Sequence, residues 1–270
     1  MKTTSLKQPK IVTRDEWFAA RKQLLNKEKQ WTRMREELTA QRGELPWVKV
    51  EKPYVFAGPA GPETLADLFD GRSQLIVYHF MFGPGWDEGC VGCSFLADNI
   101  DGARPHLEAH DVTLVVVSRA PLTELEAFKQ RMGWKFKWVS SDGSDFNYDF
   151  HVSFTKEDMA RGKGIYNFEE SKLEIDELSG TSVFTRDERG DVFHTYSAYA
   201  RGDEQLLVAY DYLEMTPKGR NEHGPRGNLS DWVRHHDRYE ADGFVDATGR
   251  YQAADQTEAA CGCGADDKGA

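Results

Sequence analysis

Two cysteines stand three residues apart in Cys90-Val91-Gly92-Cys93. Thiols at that spacing reach one another when they sit on the first turn of a helix. The first thiol then faces the unpaired N–H groups and the positive end of the helix dipole, which stabilise a thiolate. A thiolate attacks a disulfide or an electrophilic oxygen, and the second thiol resolves the mixed intermediate. The pattern predicts dithiol redox chemistry, with Cys90 attacking and Cys93 resolving. The competing chemistry is metal binding, and a structural zinc takes four ligands. The other cysteine pair is Cys261-Gly262-Cys263, so the alternative set for zinc or copper is Cys90, Cys93, Cys261 and Cys263, with a histidine as substitute. The same pair could instead deliver electrons to Cys90 and Cys93. Asp87 and Glu88 precede Cys90, and negative charge raises a thiol pKa. They are expected to cancel part of the dipole effect and give a reducing pair. Trp86 is placed to shield the thiols on one side.

The elements around the motif must put Cys90 at a strand-to-helix junction. Leu75 to Phe82 is a continuous apolar run, which suggests a strand buried on both faces. Gly83 to Gly89 reads as a loop, and residues 91–109 read as a helix. Val112 to Val117 is a second buried strand. Leu122 to Met132 is a helix opened by Pro121, and Lys135 to Val139 a third strand. Ser182 to Arg186 and Val192 to Tyr199 flank a turn as a β-hairpin, and Glu204 to Leu213 reads as helical. Residues 141–180 read as an irregular polar insertion. The order βαβαβ, hairpin, helix is that of a thioredoxin fold, an α/β three-layer sandwich. Upstream, Thr13 and Glu16 form a capping box for a long helix ending near Gly43. Trp17, Leu24, Trp31 and Leu38 recur every seven residues, with Ala20 and Met34 on the same face. Such a stripe reads as a packing face rather than a partner site. The predicted organisation is a helical extension over 1–45, a thioredoxin-like domain over 46–215, a C-terminal extension over 216–245 and a disordered tail over 246–270. The extension carries a short helix near 230–239.

Composition narrows the function classes. The 270 residues are 39% hydrophobic and 29% charged, ordinary for a globular chain, with a formal net charge of −11. No basic run stands out, which argues against nucleic acid. No apolar run approaches the roughly 20 residues that span a bilayer, and no signal-peptide core opens the chain. The cytoplasm is the expected location. Four cysteines in 270 residues do not make a disulfide scaffold. The expected partners are a thiol or disulfide substrate and an electron donor, with a homodimer left open and no cofactor required.

Other polar residues are candidates for the site. In open α/β sheets ligands bind beyond the carboxyl ends of the strands, so Arg119, Asp145 and Asn147 are candidates for the thiol pocket. Turn chemistry explains the 140–149 segment as well. His79 lies in a buried strand and reads as a core histidine. His194 and Tyr196 share one face of the last strand at period two. His235-His236-Asp237 reads as capping or packing, because adjacent residues on a helix point apart.

The chain also resembles a known family. The motif residues are Tyr78-His79-Phe80-Met81-Phe82-Gly83-Pro84 through Trp86, Glu88, Gly89, Cys90 and Cys93. Others are Val117-Ser118-Arg119-Ala120-Pro121-Leu122, Gly133-Trp134, Gly143-Ser144-Asp145-Phe146-Asn147, Val192-Phe193-His194-Thr195-Tyr196-Ser197 and Trp232-Val233-Arg234-His235-His236-Asp237. From about Pro9 to Glu240 they resemble the thioredoxin-like family called domain of unknown function 899, labelled as predicted dithiol-disulfide oxidoreductases. The resemblance implies a thioredoxin-like fold and leaves the substrate undefined. Thioredoxins place a cis-proline opposite the active thiol. Here Gly180-Thr181-Ser182 occupies that place, with Thr181 or Ser182 where proline would be, which leaves room for a metal and puts general protein-disulfide activity in question. Leu65-Ala66-Asp67-Leu68-Phe69 is similar to the opening of peroxiredoxins, but no Thr lies one helical turn before either cysteine. The reading is a thiol-disulfide oxidoreductase, with a thiol peroxidase or a metal-binding module as alternatives.

Overall fold

The computed structural model describes residues 9–241 and 243–253. Thr13 caps helix α1 (Arg14–Gly43): its hydroxyl accepts the Glu16 N–H, and the Glu16 carboxylate accepts the Thr13 N–H. None of the helix's residues is buried. Trp17, Leu24, Trp31 and Leu38 stay between 48% and 63% exposed. The stripe read as a packing face therefore has no partner among the described residues.

Strand β1 (Val48–Lys49) follows, then the hairpin β2 (Val55–Gly58) and β3 (Gly61–Thr64). The central unit is β4 (Gln74–His79), helices α2 (Val91–Ala97) and α3 (Ile100–Glu108), β5 (Val112–Ser118), α4 (Leu122–Arg131) and β6 (Lys137–Ser140). The single helix expected over 91–109 is thus two, broken at Asp98-Asn99. The segment expected to be irregular holds α5 (Phe146–Asp149), α6 (Lys156–Arg161) and the hairpin β7 (Lys163–Tyr166) and β8 (Glu169–Lys172). Then come β9 (Gly180–Arg186), β10 (Val192–Tyr199), a 3-10 segment over Ala200–Leu206, and α7 (Val208–Glu214). The last described elements are β11 (Gly243–Val245) and β12 (Tyr251–Ala253).

The main sheet runs β1-β10-β9-β4-β5-β6-β2-β3. Strands β4, β5 and β6 are parallel, and β9 joins β4 antiparallel. This is the thioredoxin-like α/β sheet, with α1 as an N-terminal extension. Alternation along the strands divides the core between the two faces. Tyr78, Phe80, Val116 and Trp138 pack with α2, α4 and α7 in one cluster. Val77, Val115, Val117, Val139 and Phe184 pack with Phe146 and Phe150 of the α5 region in the other. The result is three layers, and it sets which residues can meet the thiols.

Two expectations fail in the C-terminal region. Residues 230–239 form no helix beyond a 3-10 turn over Leu229–Asp231. The tail is ordered through Ala253, because β11 pairs with β12 and Val245 is buried in the thiol-side cluster. Cys261 and Cys263 lie outside the described residues.

Candidate active site

Strand β4 delivers the chain to the thiols. Phe80 continues the ladder to Val117, and the Cys90 N–H donates to the Met81 carbonyl at 3.0 Å. Gly89 has to be glycine: a Cβ there would lie 2.6 Å from the Phe80 ring and 3.0 Å from that of Phe128. Cys90 is the N-cap of α2, and Cys93 falls at its third helical position. Both thiols are free and buried, at 6% and 3% exposure. Cys93 Sγ accepts the Met81 N–H at 3.4 Å.

The two thiols are electrostatically unlike. The Cys90 pKa is lowered, first by the Cys93 S–H and then, against burial, by the N–H groups of Cys93 and Gly92. The Cys93 thiol is pushed well up, first by burial and then by Cys90 itself. The acid that acts on Cys90 is Asp246, not the preceding pair. Glu88 turns away: it pairs with Arg131 at 2.6 Å, Arg238 at 2.9 Å and His235 at 3.3 Å. Burial alone would raise its carboxyl, yet His235 and the two arginines hold it below the usual range. The share of the dipole cancellation expected of Glu88 is corrected accordingly, because its charge is met by two arginines and His235.

Beneath the thiols lies a buried polar group that the sequence did not flag. The Tyr78 phenol is driven up by burial, then by Cys93 and Asp203. Thr181 sits opposite Tyr78 in the β4–β9 ladder, on the thiol face. Asp203, in the 3-10 segment, is 6% exposed, and neither carboxylate oxygen has a hydrogen-bond partner within normal distance. Burial raises its pKa to about 7, against a lowering contribution from Thr181. No cis peptide occurs among the described residues, so the Gly180–Ser182 strand is all trans.

Above the thiols runs the β11–β12 hairpin. The Val91 N–H donates to the Gly249 carbonyl at 2.9 Å, which uses one of the free donors of α2. Gly249 has φ +81°, and a Cβ on it would lie 3.2 Å from Cys90 Sγ. The Asp246 carboxylate holds the turn by accepting the N–H groups of Thr248 and Arg250. The Arg250 guanidinium lies 4.8 Å from the centre of the Trp86 ring. Trp86, half-buried against the thiol-side cluster, is thereby tied to this strap. Fully buried His235 hydrogen-bonds the Gly89 carbonyl at 2.9 Å, and Asp237 pairs with Arg131 at 2.8 Å. His236 pairs with Asp98 at 2.7 Å. The His235-His236-Asp237 run locks the cysteine loop in place.

The remaining sequence candidates go elsewhere. Arg119 engages Glu177, Asp176 and Tyr148. Asp145 is exposed and pairs with Lys52 at 2.7 Å. Asn147 is buried on the other face of the sheet, where its Oδ1 accepts the Ser141 hydroxyl at 3.0 Å. The thiol pocket expected for Asp145 and Asn147 is not formed, because the α5 segment folds under the opposite face. His79 also lies there, stacked on Phe146 and Phe150 and bonded to Ser182 at 2.9 Å. Burial lowers its pKa to about 3. His194 packs on Phe150 and Phe184, while a register shift in β10 puts Tyr196 opposite Val183, on the other face. The expected shared face is broken by that bulge. Among the described residues no group of three or more His, Cys, Asp or Glu could hold a metal ion. No described helix is long and apolar enough to cross a membrane.

Solved structures similar to this chain include peroxiredoxin Q of Xanthomonas campestris, at 15% identity and TM-score 0.39 over 58% of this chain and 90% of that one. Peroxidoxin BcpB of Mycobacterium tuberculosis matches at 13% identity and TM-score 0.39, over 61% and 94%. The reduced 2-Cys peroxiredoxin of Plasmodium vivax matches at 15% and TM-score 0.36, over 64% and 96%. No curated protein matches the sequence. Residues 6–239 match the family described as "Bacterial protein of unknown function (DUF899)", and the chain belongs to that family.

Proposed function

We propose that the protein is a thiol-disulfide oxidoreductase working through Cys90 and Cys93. The observation that carries this reading is the asymmetry of the pair: Cys90 is lowered by the Cys93 S–H and backbone N–H groups, and Cys93 is raised by burial. The Cys90 thiolate attacks one sulfur of a substrate disulfide, and the other sulfur leaves as a thiolate. Cys93 then gives up its proton, and its sulfur attacks Cys90 Sγ. The second substrate thiol is released and a Cys90–Cys93 disulfide remains. Two electrons pass to the substrate, and an external dithiol must return them. Asp203 acts on Tyr78 from the thiol side of the sheet, and with its pKa raised to about 7 by burial it is the group we assign to exchange the proton near neutrality.

Burial of both thiols beneath the strap favours a small oxidant as a second reading. The Cys90 thiolate would attack a hydroperoxide oxygen and release water or an alcohol. Cys93 would then condense with the Cys90 sulfenic acid, releasing water and leaving the same disulfide. Trapping tests the common step. With Cys261 and Cys263 replaced by serine, Cys93→Ser treated with a chromogenic disulfide should hold a stable adduct on Cys90, and Cys90→Ser should hold none on Cys93. Equal labelling of both variants would overturn the assignment of roles.

A further inference from the structure

Helix α1 is 30 residues long and buries none of them. Trp17, Phe18, Leu24, Leu25, Trp31, Met34 and Leu38 are 38% to 64% exposed along it. Helices in proteins draw most of their stability from packing an apolar face, and no described residue of the same chain covers this one. The pattern says what would. Trp17, Leu24, Trp31 and Leu38 recur at intervals of seven, with Ala20 and Met34 three residues after the first and third. A seven-residue repeat stays on one seam only if two helices wrap around each other with a left-handed twist.

The flanking charges select the partner and its direction. One flank carries Arg14, Arg21, Glu28, Arg35 and Arg42, and the other Glu16, Gln23, Gln30 and Glu37. In a parallel pair each residue of the second flank faces the residue five positions later on the other helix. Glu16 then meets the partner's Arg21, and Glu37 meets the partner's Arg42. An antiparallel pair would set the arginine-rich flanks against each other and the glutamate flanks likewise. Within one chain Arg21 bridges Glu28 at 2.8 Å with both side chains more than 40% exposed, so exchanging that contact costs little. The base of the helix agrees. Leu45, Trp47 and Val48 are 43%, 59% and 64% exposed there, and β1 is an edge strand. A parallel pair brings these residues of both copies to the same end.

We propose that two copies of this chain pair through α1 as a parallel two-stranded coil. Lys27 and Gln41 interrupt the seam, which fixes one register and lowers the affinity. The dimer should therefore dissociate on dilution. Sedimentation of the reduced full chain at roughly 100 µM tests this directly. The expected mass is twice 30.7 kDa. The doubly charged variant Leu24→Glu with Trp31→Glu should give 30.7 kDa, lose the part of the helical circular-dichroism signal that pairing supports, and leave the thiol titration unchanged. Glu37→Arg should weaken association by about tenfold or more, and Glu37→Arg combined with Arg42→Glu should restore it. A wild type that stays monomeric at that concentration, or a dimer that survives the Leu24→Glu, Trp31→Glu change, overturns the proposal. A dimer that the double charge exchange fails to restore overturns the parallel arrangement.

Discussion

Asp203→Asn removes a buried carboxylate on the thiol side of the sheet without changing its size. Asp203 has its pKa raised from 3.8 to about 7, chiefly by burial. That gap corresponds to about 4 kcal/mol of differential interaction between the protonated and ionised forms. Well below pH 3.8 both folded and unfolded chains carry the proton, and the group costs nothing. As pH rises through the window to about 7, the unfolded chain releases its proton and the folded one retains it, so stability falls. Above that window the folded state carries the full penalty. Asn has no charge to bury, so the variant should gain up to about 4 kcal/mol over wild type at pH 8.5 and close to nothing at pH 4. The assay is urea unfolding of the reduced proteins across that range. Glu177 is also raised to about 7, mainly by burial, but it is present in both proteins and cancels in the difference. A difference that does not change with pH would refute the reasoning, because it would mean that Asp203 is solvated or already paired. In the same variant the closing of the mixed disulfide by Cys93 should slow at neutral pH, since its proton acceptor is gone.

Further outcomes follow from the strap and the loop. Gly249→Val puts a side chain on Cys90 Sγ at a positive φ, so it should cost roughly 1–2 kcal/mol and speed the alkylation of Cys90 by displacing the hairpin. Glu88→Gln leaves Arg131 and Arg238 without their shared carboxylate and should lower stability by roughly 1–3 kcal/mol in urea melts. His79→Leu removes one of the two partners of the Ser182 hydroxyl, which keeps Ser197, so it should cost only roughly 0.5–1.5 kcal/mol and leave Cys90 reactivity at wild-type levels in a timed alkylation. A large loss of thiol reactivity in that variant would show that His79 reaches the chemistry from the far face.

Much of this arrangement is legible in the residues. The buried run Leu75 to Phe82, the glycine-rich loop and Cys90-Val91-Gly92-Cys93 place the thiols at a strand-to-helix junction, where the structure has them. The hairpin Ser182 to Tyr199 is read from its alternation, although the bulge that turns Tyr196 away from His194 leaves no trace in that pattern. The 141–180 stretch looks polar because its serines and aspartates dominate, yet Phe146, Phe150 and Phe154 recur every four residues and are all buried. The strap is harder to see. Val245 and the half-buried Tyr251 anchor it on the core, and a three-residue strand with a Thr-Gly turn has the composition of a loose tail. Asp203 is invisible for a different reason. An aspartate after Arg-Gly looks like any surface turn residue, and its burial is decided by Tyr78, Tyr166 and Thr181, which are distant in sequence.

The central claim is that Cys90 and Cys93 cycle between dithiol and disulfide. An anaerobic redox titration read by thiol alkylation tests it, on the full chain and on a variant with Cys261 and Cys263 replaced by serine. The account predicts a reversible two-electron transition at roughly −200 to −300 mV in both, abolished by Cys93→Ser. Thiols that stay alkylatable across the whole range, or that oxidise only after a chelator is added, would contradict it and favour a metal-binding pair on the same fold.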